Sequence, residues 1–109
     1  MRWNTLRILK EFERSGTIPI LLALNKLKKG KFADTYYKTI RMGFRLGSGA
    51  VSRRLDQLCD LGWIQKTENT GRRNRVFALT ERGVNLAAVI NEFVKNLEKP
   101  NSSKNQTKN

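Results

Sequence analysis

The sequence predicts a mainly α-helical domain carrying one small β-hairpin, and three observations lead there. Apolar residues recur at helical spacing through most of the chain. The period breaks at residues 63–79, where "WIQKT" and "RVFALT", short and β-branched or aromatic, flank the Gly/Asn cluster "ENTGRRN". Helical spacing then returns in "TERGVNLAAVINEFVKNLEK", which Pro100 stops. A chain of 109 residues can bury one modest core. A single domain is therefore expected over 1–98, with 99–109 as a disordered tail because "NSSKNQTKN" has no apolar residue.

The elements follow in order. Residues 3–14 place Trp3, Leu6, Leu9 and Phe12 on one helical stripe, and Gly16 ends that helix. Thr17 is the expected cap of a second helix, with Pro19 in its first turn, where a missing N–H costs nothing. "PILLALNKLKKG" is nearly all apolar at first, so its first half should be central to the core, with Gly30 as terminator. Asp34 is the expected cap of a third helix, whose loose inner face would hold Tyr36 or Tyr37 with Ile40 and Phe44. Gly43 and Gly47 bracket the next turn. A fourth helix spans 48–61, capped by Ser48, with Val51, Leu55 and Leu58 inward and Gly62 as a left-handed stop. Two strands make a hairpin over 64–79, and Trp63 should pack at its base. Thr80 opens a last helix whose stripe is Leu86, Val89, Ile90, Phe93, Val94 and Leu97. Helix, turn, helix and then a hairpin with a basic tip is the winged helix-turn-helix layout.

Charge and residue usage narrow the function. Twenty-two Lys and Arg against nine Asp and Glu leave +13, with a pI near 10.6, which favours a polyanionic partner: nucleic acid before an anionic membrane. Residues 26–75 hold thirteen basic and four acidic residues, so +9 of that charge lies around the helix-turn-helix and hairpin. One cysteine and no histidine exclude an intramolecular disulfide, a Cys/His zinc site and a histidine-activated nucleophile. Carboxylates are scattered and no P-loop lysine appears, so neither an enzyme nor a cofactor is expected. No apolar run nears the roughly 20 residues of a membrane span. The N-terminus does not read as a signal peptide, so an intracellular protein is expected.

A helix-turn-helix places the first turns of its second helix in the major groove. With Val51, Leu55 and Leu58 inward, Gly49 and Arg53 lie opposite them, Ser52 and Asp56 flank that line, and Arg54 falls on the shoulder. Gly49, Ser52 and Arg53 are thus candidates for base contacts, Arg53 because its fork matches guanine O6 and N7. Ser48 and the helix N-terminal amides suit a phosphate, as do Arg54, Lys31, Lys38, Arg41 and Arg45. Asp56 and Asp60 would repel phosphates, so only the first half of this helix should enter a groove. On an isolated helix the arginine pair would read as a solvated face, and the following hairpin turns the reading toward DNA. Lys66, Arg72, Arg73 and Arg75 would set the wing against a minor groove or a phosphate ridge. Tyr36 and Tyr37 could instead stack on unpaired bases, although core and rim packing is the plainer role. Cys59 reads as a small, partly buried residue.

Over "AVSRRLDQLCDLGWIQKTENTGRRNRVFALTERGVNLAAVI" the chain resembles winged-helix transcriptional regulators of the MarR and HxlR kind. The shared pattern falls on Val51, Ser52, Arg53, Leu55, Leu58, Gly62 and Ile64, then on Leu79, Thr80, Glu81, Gly83 and Leu86. The resemblance implies sequence-specific binding of double-stranded DNA, usually as a dimer on a two-fold site, with repression the commonest outcome. Trp3, Phe12, Ile90, Phe93 and Leu97 are the candidates for a homodimer contact, because the terminal helices carry more apolar surface than a small winged helix needs. No small-molecule effector is expected. An RNA- or single-strand-binding module and a protein adaptor on the same fold remain as alternatives.

Overall fold

Helix α1, Thr17–Leu27, is the central element because Ile20, Leu21, Leu22, Ala23 and Leu24 leave its first half no polar side. It packs against each of the three later helices and the sheet. The computed structural model describes residues 10–67, 71 and 74–98; Trp3, Arg72, Arg73 and the tail 99–109 lie outside them. Residues 10–13 are helical, and the chain turns through Arg14–Gly16 into α1. There follow β1 (Lys29–Lys31), α2 (Phe32–Arg41), α3 (Ser48–Asp60), β2 (Ile64–Lys66), β3 (Val76–Leu79) and α4 (Glu81–Glu98). Helix α4 lies against α1, and α2 and α3 pack together on another side of it.

The sheet has three antiparallel strands in the order β1-β3-β2, where a two-stranded hairpin was expected. Lys29, Gly30 and Lys31 face Ala78, Phe77 and Val76, while Ile64, Gln65 and Lys66 face Leu79, Ala78 and Phe77. Gly30 is therefore a buried strand residue and not the terminator of α1. A Cβ there would stand 3.1 Å from Asp34 Cβ, so close packing under α2 is what calls for glycine. Lys28 ends α1 instead, at φ +73°, with its N–H on the Leu24 carbonyl.

Three caps shift by one or more residues. Gly16 is the N-cap of α1, and Thr17 is its first helical residue. Thr17 N–H reaches back to the Arg14 carbonyl at 3.3 Å, and the first bond of the helical ladder is that of Ile20 N–H on the Gly16 carbonyl, so Pro19 gives up nothing. Gly47 precedes α3 in extended conformation, and Ser48 begins the helix without capping it. Asp34 sits in the first turn of α2, where its Oδ2 accepts the Lys31 N–H at 3.0 Å.

The inner face of α2 is also different from the aromatic one expected. Thr35 and Thr39 are its fully buried residues, whereas Tyr37 and Ile40 are exposed. The threonines can be buried because each hydroxyl donates to a backbone carbonyl of its own chain segment: Thr35 to Lys31 at 3.0 Å and Thr39 to Tyr36 at 2.7 Å. Helices α2 and α3 end alike. Gly43 N–H reaches Ile40 and Phe44 N–H reaches Thr39; Gly62 N–H reaches Cys59 and Trp63 N–H reaches Leu58. This double closure is the Schellman motif, and it turns Trp63 back into the core, where it is 2% exposed.

Candidate nucleic-acid interface

Helix α3 is amphipathic by construction. Val51, Leu55 and Leu58, spaced by four and three residues, are buried; of the residues between them Arg53 is exposed and the rest are half-buried. Arg53 is exposed on the outer side, and its guanidinium runs back toward the helix N-terminus, as helical side chains do. Its Nη1 lies 3.9 Å from where a Cβ on Gly49 would be. A methyl at Gly49 would stand in ordinary contact with the guanidinium, which lies over a first turn that carries no side chain there. Ser48 and Gly49 are exposed, and Ser52 is half-buried. Ser48, Gly49, Ser52 and Arg53 therefore share the first two turns of one helix.

Arg54 has a different setting. Its Nε donates to the Ser15 carbonyl at 2.8 Å, and its Nη1 donates to Gln57 Oε1. Burial pushes this guanidinium below its ordinary value and the Arg14 cation adds to that, while the Glu11 carboxylate pulls the other way. The side chain expected on a phosphate is thus bonded to its own chain while remaining partly exposed.

The remaining cations lie around this helix. Lys31 is at the entry to α2, with Lys38 and Arg41 on α2 and Arg45 in the connection to α3; all but Lys38 are exposed. Lys66 on β2 stands 3.9 Å from Asp56, which ties the wing to the far half of α3. So wide a contact between partly exposed groups contributes well under about 1 kcal/mol. Arg75, just before β3, is half-buried near Cys59. The Cys59 thiol is pushed up by burial first, with Asp56 and Asp60 adding to that and Lys66 and Arg75 opposing. Of the aromatic candidates, Phe32 and Tyr36 stack at 5.9 Å, Tyr36 tilts against Tyr37 at 5.3 Å, and Tyr37 is 56% exposed. Among the described residues, no group of three His, Cys, Asp or Glu is placed to hold a metal, and no helix is long and apolar enough to cross a membrane.

The candidates for a homodimer contact separate. Ile90 is buried in the chain's own core, and Phe12 packs on Trp63 with ring centroids 5.8 Å apart, so both are used internally. Val89, Phe93 and Leu97 are 67, 62 and 68% exposed and recur every four residues on the outside of α4.

No protein-family model matches the chain, and no curated protein matches it in sequence. Solved structures do. A MarR family transcriptional regulator from Silicibacter pomeroyi DSS superposes with a TM-score of 0.65 at 19% identity, over 94% of this chain and 68% of that one. A MarR family regulator from Neisseria meningitidis gives 0.63 at 22% identity, over 86% and 65%. A structure described as a possible HxlR family transcriptional factor from Thermoplasma volcanium GSS1 gives 0.60 at 19%, over 83% and 77%. The chain folds as a winged helix-turn-helix. Helices α2 and α3 are its helix-turn-helix, β2 and β3 carry the wing, and β1 is a third strand for which the sequence pattern offered no sign. At these identities the likeness is one of fold, and the motif from Val51 to Leu86 is where it was already visible.

Proposed function

We propose that this winged helix is a sequence-specific double-stranded DNA-binding protein acting as a transcriptional regulator, a repressor more readily than an activator. The observation that carries the reading is Arg53: an exposed arginine on the outer face of α3, laid over a first turn kept slim by Gly49. Such a group can reach a guanine edge without a neighbouring side chain in the way. Ser52 and Gly49 complete the base-facing set, and Ser48 and the α3 amides hold a phosphate. Lys31, Lys38, Arg41 and Arg45 follow the backbone, with Lys66 and the arginines at 72, 73 and 75 on the wing side. These roles amount to binding, with no catalytic step and no cofactor.

A two-fold homodimer suits the apolar stripe of α4. This helix carries three glutamates against one arginine and one lysine, so it is weakly acidic in a chain of +13. Two such chains would meet most favourably there, where like-charge repulsion is least. The test is enrichment of bound duplexes from a random pool, with half-site spacing read from the winners. A repeated motif with two half-sites, lost with Arg53→Ala, is the expected result. The alternative reading, single-strand or RNA binding, is favoured by the exposed Tyr37 beside basic residues. Competition by single strands that exceeds competition by duplex would replace the first reading with this one.

A further inference from the structure

Arg53 and Arg54 are adjacent, exposed to different degrees, and separated by about 100° around the helix. Arg54 reaches across 39 residues of sequence to the Ser15 carbonyl and forward about one turn along its own helix to Gln57. Its aliphatic stem supports the same turn, since a Cβ on Gly16 would lie 3.6 Å from Arg54 Cγ and 3.7 Å from Leu46 Cδ1. Glu11 and Arg14, themselves paired at 3.3 Å, provide the charges that face it from the end of the preceding helix, and Arg53 faces it from its own. The groups around Arg54 thus belong to the turn at 14–16, the segment before α3, and α3 itself.

We infer that Arg54 is a positioning residue for DNA recognition: steadied by Gln57 on its own helix and anchored on the Ser15 carbonyl, it adds to the buried Val51, Leu55 and Leu58 in fixing the rotational setting of α3 and so aims Arg53. The inference rests on the DNA-binding reading above. Helix α3 is one rigid body over this stretch, so a rotation that releases Arg54 carries Arg53 through the same angle. Base readout by a bidentate fork is lost with a small error of direction, whereas backbone attraction tolerates it. Loss of the anchor should therefore reduce selectivity and leave the electrostatic part of binding unchanged.

The experiment compares wild type, Arg54→Ala, Arg54→Lys and Gln57→Ala on two probes: the duplex enriched by wild type, and a scrambled duplex of the same composition. Each is titrated over a range of salt. Arg54→Ala is expected to weaken the enriched duplex about tenfold, as for loss of a hydrogen bond from a charged group, with the scrambled duplex and salt slope unchanged. Arg54→Lys should recover part of the loss, since an ammonium can still reach Ser15 but cannot span both acceptors. If Arg54→Ala does not fold by circular dichroism, Gln57→Ala serves in its place and should show a smaller loss of the same kind. Equal weakening on both probes, with the salt slope reduced by about 0.9, would mean that Arg54 neutralises a phosphate and overturns the inference. So would unchanged selectivity in the folded variants. A wild-type chain that prefers no duplex overturns the underlying reading itself, an outcome visible before any variant is made.

Discussion

Thr80 joins the wing to the last helix through three hydrogen bonds. Its N–H donates to the Trp63 carbonyl at 3.0 Å, its hydroxyl donates to Gly62 at 2.6 Å, and the same oxygen accepts the Gly83 N–H at 3.2 Å. Thr80→Val keeps the shape and strands two of those partners, so stability should fall by about 2 kcal/mol in denaturant titration. Gly83 is just as constrained, because a Cβ there would overlap the Trp63 carbonyl. Gly83→Ala should cost about 3 kcal/mol by the same measurement, as for overpacking a closed site. Thr17 runs the other way: its hydroxyl is fully buried and has no hydrogen-bond partner among the described residues. Thr17→Val should raise stability by about 1 kcal/mol. At this scale the sequence was informative where side chain and role coincide, as in the Thr80 opening of α4 and the outward Arg53. It put Arg54 on the helix shoulder, as a phosphate candidate, and did not show its bond to Ser15, because a backbone carbonyl 39 residues away has no residue type to announce it.

Helices with strong apolar spacing were legible as elements, and α1, α3 and α4 lie where the pattern put them. Helix α2 was legible as an element, but it begins at Phe32, ahead of the cap expected at Asp34, and its facing was not legible. A periodicity reading weighs tyrosine and isoleucine as inward and cannot anticipate two threonines that satisfy themselves on the backbone. Strand β1 was illegible for a different reason: three residues, Lys-Gly-Lys, carry no alternation of apolar side chains. Its place is set by pairing with β3. Helix α4 supplies the prediction at this scale. Phe93→Glu puts a charge in the middle of the exposed Val89, Phe93 and Leu97 stripe without touching the core. Sedimentation should then show monomer at concentrations where the wild type is dimeric, with an unchanged helical spectrum. A wild type that sediments as monomer throughout would remove the dimer from the proposed function.

For the whole molecule the charge of +13 decides how DNA affinity responds to conditions. Each phosphate neutralised adds about −0.9 to the slope of log affinity against log salt, so a steep fall with salt is expected. A shallow one would favour the adaptor reading. The response to pH should be flat between about pH 6 and 7.5, because histidine is the side chain that ordinarily titrates there and the chain has none. Cys59 does not substitute for it. Burial moves its thiol upward, away from that window, so the neutral form persists through it. The proton count of this thiol therefore does not change as pH rises to 7.5, and it contributes no pH dependence to stability there.

The position of β3 between β1 and β2 also bears on the route by which the chain folds. Pairing Lys29 with Ala78 closes nearly half the sequence, whereas the helices before it need only local contacts. Helix α1 can assemble with α2 and α3 early, but β1 stays without a partner until the chain has passed through both later helices and turned back. Folding should thus be timed by the arrival of one four-residue strand, and Phe77→Ala should slow refolding more than truncation at a solvent-facing helix site does.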